Sequence, residues 1–176
     1  MRIETKVASQ MSAFERGRTD CVVTSSLYSY QNGIKWTSAD WIVMVWEDQE
    51  LVSNVHIIER VAKVDRKPVR LGGIGNVATK VEWRKRGFAS AALKVAQEFL
   101  ADPLKVDFGL MVSTEQIIPY YEKMGRKVVA QSLTMEQSVG KKVLNYPVMV
   151  LPAFKENWPK GMIDLCGLPW CSRRAH

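Results

Sequence analysis

The sequence predicts a single α+β domain spanning residues 1–176, a mixed, mostly antiparallel sheet flanked by helices. Three observations predict it. Long β-prone runs at 41–46, 51–64 and 69–81 follow one another across short polar turns, the order expected of antiparallel hairpins. An amphipathic helical stretch at 87–101 then separates two β-prone runs, giving a β–α–β passage. A second helical stretch and two late strands complete the chain.

Residues 1–10 alternate and predict a first strand. Residues 11–30 mix helix-compatible and polar segments, and Tyr28–Gly33 reads as a loop or turn. Trp41–Trp46 is a strand, Glu47–Glu50 a turn, and Leu51–Val64 the returning strand. Asp65–Pro68 is the next turn. Val69–Val81 is a strand interrupted by Gly72, Gly73 and Gly75, where a bulge or a close approach of another group is expected.

From Ala89, apolar residues recur at Ala92, Leu93, Ala96, Phe99 and Leu100, one buried face of a helix. Asp102-Pro103 stops it. Val106–Val112 is a short strand, and Glu115–Met124 a helix capped at its C-terminus by Gly125. Lys127–Val129 and Lys142–Leu151 are late strands.

The junction Val77–Ser90 carries the strongest functional signal. A β run ends in a cationic loop, Arg84-Lys85-Arg86-Gly87, which opens directly into the helix. The first N–H groups of a helix have no internal partner and sit at the positive end of its dipole. Such a junction either grips a phosphate-bearing ligand or is a solvated basic turn. In its strand–loop–helix setting, Arg84-x-x-Gly87-x-Ala89 resembles the acyl-CoA-binding motif of the GCN5-related N-acetyltransferases. That resemblance implies the family's fold, whose central strands splay apart around the cofactor, and acetyl-CoA as co-substrate. It implies that Arg84, Lys85, Arg86, Gly87, Phe88, Ala89 and Ser90 hold the pyrophosphate. Val77, Ala78 and Thr79 are then the strand segment beside the pantetheine and thioester.

Acetyl transfer to an amine needs a neutral nucleophile, donors for the oxyanion and a proton for the departing thiolate. Tyrosine suits the last role, because its phenol is protonated at neutral pH. Tyr121 stands four residues before Gly125, a spacing that resembles the same superfamily's later motif and implies a general acid; the competing reading for Tyr120 and Tyr121 is an aromatic face packed on the sheet. The base stays open. His56 and Glu59 fall on opposite faces of one strand, and a chain of waters is a third route.

Gly73–Thr79 with Trp83-Arg84, Val148–Pro152 and Ile163–Trp170 are similar to segments of the aminoglycoside 2′-N-acetyltransferases. That similarity implies a substrate-side role for Trp170. It departs from the family at Gly75, where a glutamate is expected, and at Leu168, where an acidic residue is expected. Asp40, Asp164 and Glu82 are the acidic candidates for a cationic acceptor. The net charge of +7 conflicts least with a weakly cationic, kasugamycin-like amine.

The composition narrows the alternatives. No apolar run is long enough to span a bilayer, and the charged start Met1–Lys6 does not read as a signal peptide. Cys21, Cys166 and Cys171, without a Cys-x-x-Cys pair and with two histidines, favour neither a disulfide framework nor a structural metal site, so a reducing cytoplasm is the expected compartment. The basic residues are dispersed, and no aromatic platform accompanies them, which argues against nucleic acid. Exposed strand edges are compatible with a homodimer. The functional expectation is therefore an acetyl-CoA-dependent N-acetyltransferase of a small amine of the aminoglycoside type. Another small amine, a protein amine, or a non-catalytic acyl-CoA sensor are the alternatives.

Overall fold

The computed structural model describes residues 1–24 and 34–170. The turn expected at Tyr28–Gly33 lies outside them, as does Cys171. Strand β1 (Arg2–Val7) leads through a short 3-10 turn to helix α1 (Ala13–Thr24). Ser12 and Glu15 start α1 with reciprocal bonds. The Ser12 N–H donates to Glu15 Oε2 at 2.7 Å, and the Glu15 N–H donates to Ser12 Oγ at 3.2 Å. This capping box satisfies two donors that a helix start leaves open.

Strands β2 (Trp41–Glu47), β3 (Glu50–Val64) and β4 (Lys67–Thr79) form the antiparallel meander that the sequence predicts. The β3–β4 turn places Asp65 and Arg66 at φ 46° and 66°, the left-handed pair that a tight hairpin requires. Helix α2 (Phe88–Ala101) crosses to β5 (Phe108–Val112), which is parallel to β4. Helix α3 (Ile118–Glu122) follows, then β6 (Lys127–Val129), β7 (Leu133–Gln137), β8 (Gly140–Leu144), β9 (Val148–Pro152) and the two-residue β10 (Ile163–Asp164).

The strands make one ten-stranded sheet with the order β6-β9-β5-β4-β3-β10-β7-β8, and β1 and β2 extend it beside β3. β3 is long enough to pair β2 along Glu50–Ile57 and β10 at Lys63–Val64 on the same edge.

Four elements differ from the sequence reading. The late strand expected at Lys142–Leu151 is the end of β8 and the whole of β9, because Pro147 has no N–H and interrupts the ladder. β7, whose inward residues Leu133 and Met135 are buried, and the very short β10 were not anticipated. The helix expected at Glu115–Met124 is a 3-10 turn at Glu115–Ile117 followed by α3, with Pro119 in its first turn.

α2 buries Phe88, Ala92, Leu93, Ala96 and Leu100 against one face of the sheet, together with Val43, Val45 and Ile74. Two glycines set how closely the sheet is approached. A Cβ on Gly72 would overlap the Leu100 side chain of α2, and one on Gly73 would overlap the Trp170 indole on the opposite face. Both approaches exist because these positions lack a side chain.

Candidate active site

The sheet opens at β4 and β5. Their parallel ladder consists of Leu71 with Phe108, Gly72 with Gly109, and Gly73 with Leu110. Beyond Gly73, β4 continues to Thr79 without β5 beside it. The splay that the resemblance implies is therefore present, and it begins at Gly73.

β4 is also bulged past that point. His56 pairs Gly75 and Asn54 pairs Ala78, so the β4 side carries one residue more than the β3 side across Val55. Asn76 takes φ 44° there. Asn54 donates from Nδ2 to the Asn76 carbonyl at 3.0 Å, and Ser53 Oγ donates to the Ala78 carbonyl at 2.8 Å. Ser53 Oγ also lies 2.8 Å from Thr79 Oγ1. These buried side chains fix the bulged segment Asn76–Thr79 from the β3 side. A bulge or a close approach was expected at the glycine cluster, and the bulge falls just past Gly75; its asparagine clamp was not anticipated.

From Thr79 the chain makes a 3-10 turn at Val81–Trp83 and reaches α2. Gly87 takes φ 87°, left-handed backbone that only glycine adopts readily, and no side chain caps the helix start. The first α2 hydrogen bond to Gly87 comes from the Ala91 N–H at 3.0 Å. The N–H groups of Phe88, Ala89 and Ser90 precede it and have no helical acceptor. Arg84, Lys85 and Arg86 are exposed around them. Arg84 Nε donates to the Thr79 carbonyl at 3.2 Å, and the Arg86 guanidinium lies 4.4 Å from the Trp83 ring. Trp83 in turn packs edge-on to Phe88. The loop is therefore held to the end of β4 and to the first residue of α2.

Helix α3 meets α2 at the same end: Ser90 Oγ and the Tyr120 hydroxyl are 3.0 Å apart. Tyr121 is buried beside it, with ring centroids 5.2 Å apart, in the core that includes Phe88, Ala92, Met111 and Met149. Arg126, which the sequence reading did not single out, is fully buried with its guanidinium 5.8 Å from the Tyr121 ring.

The opposite face of β3 and β4 holds a small hollow lined by Thr37, His56, Ile58, Gly73, Gly75 and Trp170, among others. Trp170 is buried over Gly73 and forms a bridge with Thr37. Arg60 holds this tail by donating to the Leu168 carbonyl while its guanidinium lies 5.6 Å from the Trp170 ring. The His56 Nδ1 is 3.2 Å from Asn76 Nδ2, and its Nε2 is covered with no hydrogen-bond partner. Burial pushes the His56 pKa down to about 4, so the ring is neutral at pH 7. Glu59, its alternative as base, faces the other way and pairs Arg70 at 2.5 Å.

The three acidic candidates do not converge. Asp40 follows Ala39, a lining residue of the hollow, and its Oδ2 accepts the Glu59 N–H at 2.9 Å. Glu82 is exposed on the turn before α2. Asp164 lies opposite Lys63, six residues along β3 from Ile57, which is about 20 Å of strand. Its carboxylate is paired with Lys141 and accepts the Cys166 N–H at 3.0 Å, and the Lys141 bond holds its pKa down. Among the described residues no cluster of three His, Cys, Asp or Glu side chains could hold a metal, and no helix is long and apolar enough to cross a membrane.

Residues 5–129 match the family model described as an acetyltransferase (GNAT) domain. The chain is similar in structure to Escherichia coli YhbS, a GNAT family N-acetyltransferase solved with CoA, at TM-score 0.64 and 13% identity over 94% of this chain and 90% of that one. It is similar to the ribosomal-protein-S18-alanine N-acetyltransferase of Escherichia coli at TM-score 0.57 and 10% identity over 89% and 97%. It is also similar to Eis1 from Mycobacterium abscessus at TM-score 0.58 and 13% identity over 76% of this chain but only 33% of that one. The chain thus aligns with about a third of Eis1. No curated protein matches the sequence.

Proposed function

This chain belongs to the GNAT acetyltransferase family, and from that premise we propose that it is an acetyl-CoA-dependent N-acetyltransferase of a small-molecule amine. The observation that carries this reading is the double role of Gly73. It is the last β4 residue paired with β5, and on the opposite face it lies against Trp170 in the lining of the hollow. A thioester held in the splay on one side and an amine held beside the indole on the other would meet at the bulge after Gly75.

In this reading the N–H groups of Phe88, Ala89 and Ser90 receive the pyrophosphate, with Arg84, Lys85 and Arg86 adding charge and Gly87 allowing close approach. Val77, Ala78 and Thr79 offer backbone groups to the pantetheine and the acyl carbonyl, held rigid by Ser53 and Asn54. Tyr121 donates the proton that the thiolate needs on leaving. His56 is the ionisable side chain lining the hollow. Its Nε2 is covered and its pKa is pushed down to about 4, so the proton lost by the attacking nitrogen leaves through a chain of waters rather than to one dedicated base.

The favoured acceptor is an amino sugar of low charge, the 2′-amine of an aminoglycoside-type antibiotic, with resistance as the consequence. The Trp170-bearing tail supports this, since a face covered by an aromatic tail suits a small molecule better than an extended peptide. Asp40 supplies one carboxylate at its edge, whereas Asp164 is already engaged by Lys141 and Arg60 flanks the tryptophan. A strongly polycationic acceptor fits poorly with that charge pattern.

Coenzyme A release with acetyl-CoA and a panel of kasugamycin, classical aminoglycosides, polyamines, amino acids and peptides tests the reading, alongside direct acetyl-CoA binding. Turnover on amino sugars supports it. Turnover confined to peptides or polyamines overturns the acceptor, and acetyl-CoA binding without turnover on any amine points to a sensor.

A further inference from the structure

Helix α3 ends in a motif that places one side chain against another. The Gly125 N–H donates to the Glu122 carbonyl at 3.0 Å, and the Arg126 N–H donates to the Tyr121 carbonyl at 3.2 Å. With Gly125 at φ 81°, this is a Schellman cap. Such caps usually bring an apolar residue after the glycine onto the residue five before it. Here those two positions are Arg126 and Tyr121.

The result is an unusual cation. Arg126 is 2% exposed. Its Nη1 reaches only the Met124 carbonyl at 3.4 Å, and its Nε and Nη2 have no hydrogen-bond partner. Among the described residues no carboxylate lies within ion-pair distance of it. Glu122, Lys123 and Lys127, its ionisable neighbours along the chain, are exposed. Ser90 of α2 reaches the Tyr120 hydroxyl at this corner, and Met111 of β5 and Met149 of β9 share the core that holds Tyr121. A buried guanidinium without an anion is costly to keep. The groups near it able to become anionic are the phenols of Tyr121 and Tyr120, whose rings lie together at this corner.

We propose that Arg126 is a positioning residue that stabilises the Tyr121 phenolate formed when this tyrosine gives its proton to the coenzyme A thiolate, which rests on the reading of Tyr121 as the general acid. In that step the Tyr121 O–H bond breaks, an S–H bond forms, and the negative charge moves from sulfur to the phenol oxygen. A tyrosine ordinarily ionises about 1.5 pH units above a thiol, so the transfer runs uphill by about thirtyfold. A cation in a desolvated site next to the ring favours the phenolate and shortens that gap. The phenol then recovers its proton from water after the thiol departs.

The test is an ultraviolet titration of tyrosine ionisation, with the Tyr121 contribution taken as the difference between the protein and its Tyr121→Phe variant. Arg126→Met preserves bulk and packing, and Arg126→Lys preserves charge. The expected result is a Tyr121 ionisation at least one pH unit higher in Arg126→Met and partly restored in Arg126→Lys. kcat should fall tenfold or more in Arg126→Met, with acetyl-CoA affinity and thermal midpoint little changed. An unchanged Tyr121 ionisation in a folded Arg126→Met protein overturns the inference while leaving Tyr121 as the acid. Full turnover in Tyr121→Phe overturns the acid reading itself, and is told apart because the titration does not depend on turnover.

Discussion

Trp170 rests on Gly73: the indole occupies the space that a Cβ on that glycine would fill. One residue of β4 therefore decides both where the strand parts from β5 and how deep the tryptophan sits. Gly73→Ala should push Trp170 outward at a stability cost of about 1–3 kcal/mol. We expect acceptor KM to rise tenfold or more and acetyl-CoA affinity to stay within about threefold, read by steady-state kinetics and calorimetry. Equal loss of both would mean that the two sides of the strand are not separate sites.

The left-handed Gly87 makes the second prediction. No atom lies within 4 Å of where its Cβ would be, so Gly87→Ala tests conformation and not space. An alanine at φ 87° is strained by about 1–2 kcal/mol. The loop should relax away from that geometry, and acetyl-CoA binding should weaken by tenfold or more. Retained affinity in this variant would remove the helix start from the proposed pyrophosphate site.

Ser90 and Tyr120 join the two helices across 3.0 Å. A double-mutant cycle of Ser90→Ala and Tyr120→Phe should show a coupling of about 1 kcal/mol in denaturant unfolding. Additive effects would show that the contact carries no energy.

His56 predicts a pH dependence of stability. Its folded pKa, about 4, lies below the unfolded value of 6.5 because burial disfavours the charged ring. Between those values the unfolded chain binds more protons, so stability is full above pH 6.5 and falls as the pH drops toward 4, by roughly 3 kcal/mol in all. Glu15 acts in a lower window. Its bond from Lys6 and those from Ser12 bring it from 4.5 to about 2, so its contribution is present above pH 4.5 and is lost as the pH falls through 2. Urea unfolding between pH 7.5 and 4.5 of the protein and of His56→Phe checks the first window. Parallel curves for the two would sink the assignment to His56.

Much of this was legible in the chain because it is local. The apolar period of Ala92, Leu93, Ala96 and Leu100 predicts α2, and Asp65-Arg66 marks a hairpin turn. Gly125 announces a helix end. Other features were hidden because no local signal carries them. β7 and β10 are short strands that pair only after distant segments meet. The glycine cluster signals a bulge in β4, but the clamp of Ser53 and Asn54 that holds it exists only in the register of β4 against β3. Asp164 looked available for a substrate, yet Lys141 claims it across 23 positions of sequence.

By itself the sequence determined the α+β order of elements, the strand–loop–helix junction from Val77 to Ser90, and the spacing of Tyr121 to Gly125. Periodicity, capping and turn chemistry act over a few residues, so a linear reading reaches them. Only the tertiary structure decided that Trp170 covers Gly73, that His56 and not Glu59 lines the hollow, and that Arg126 is buried against Tyr121 with no counter-ion among the described residues. Those relations depend on which faces of distant segments meet in the packed chain, and on how much water that packing leaves at each charged group.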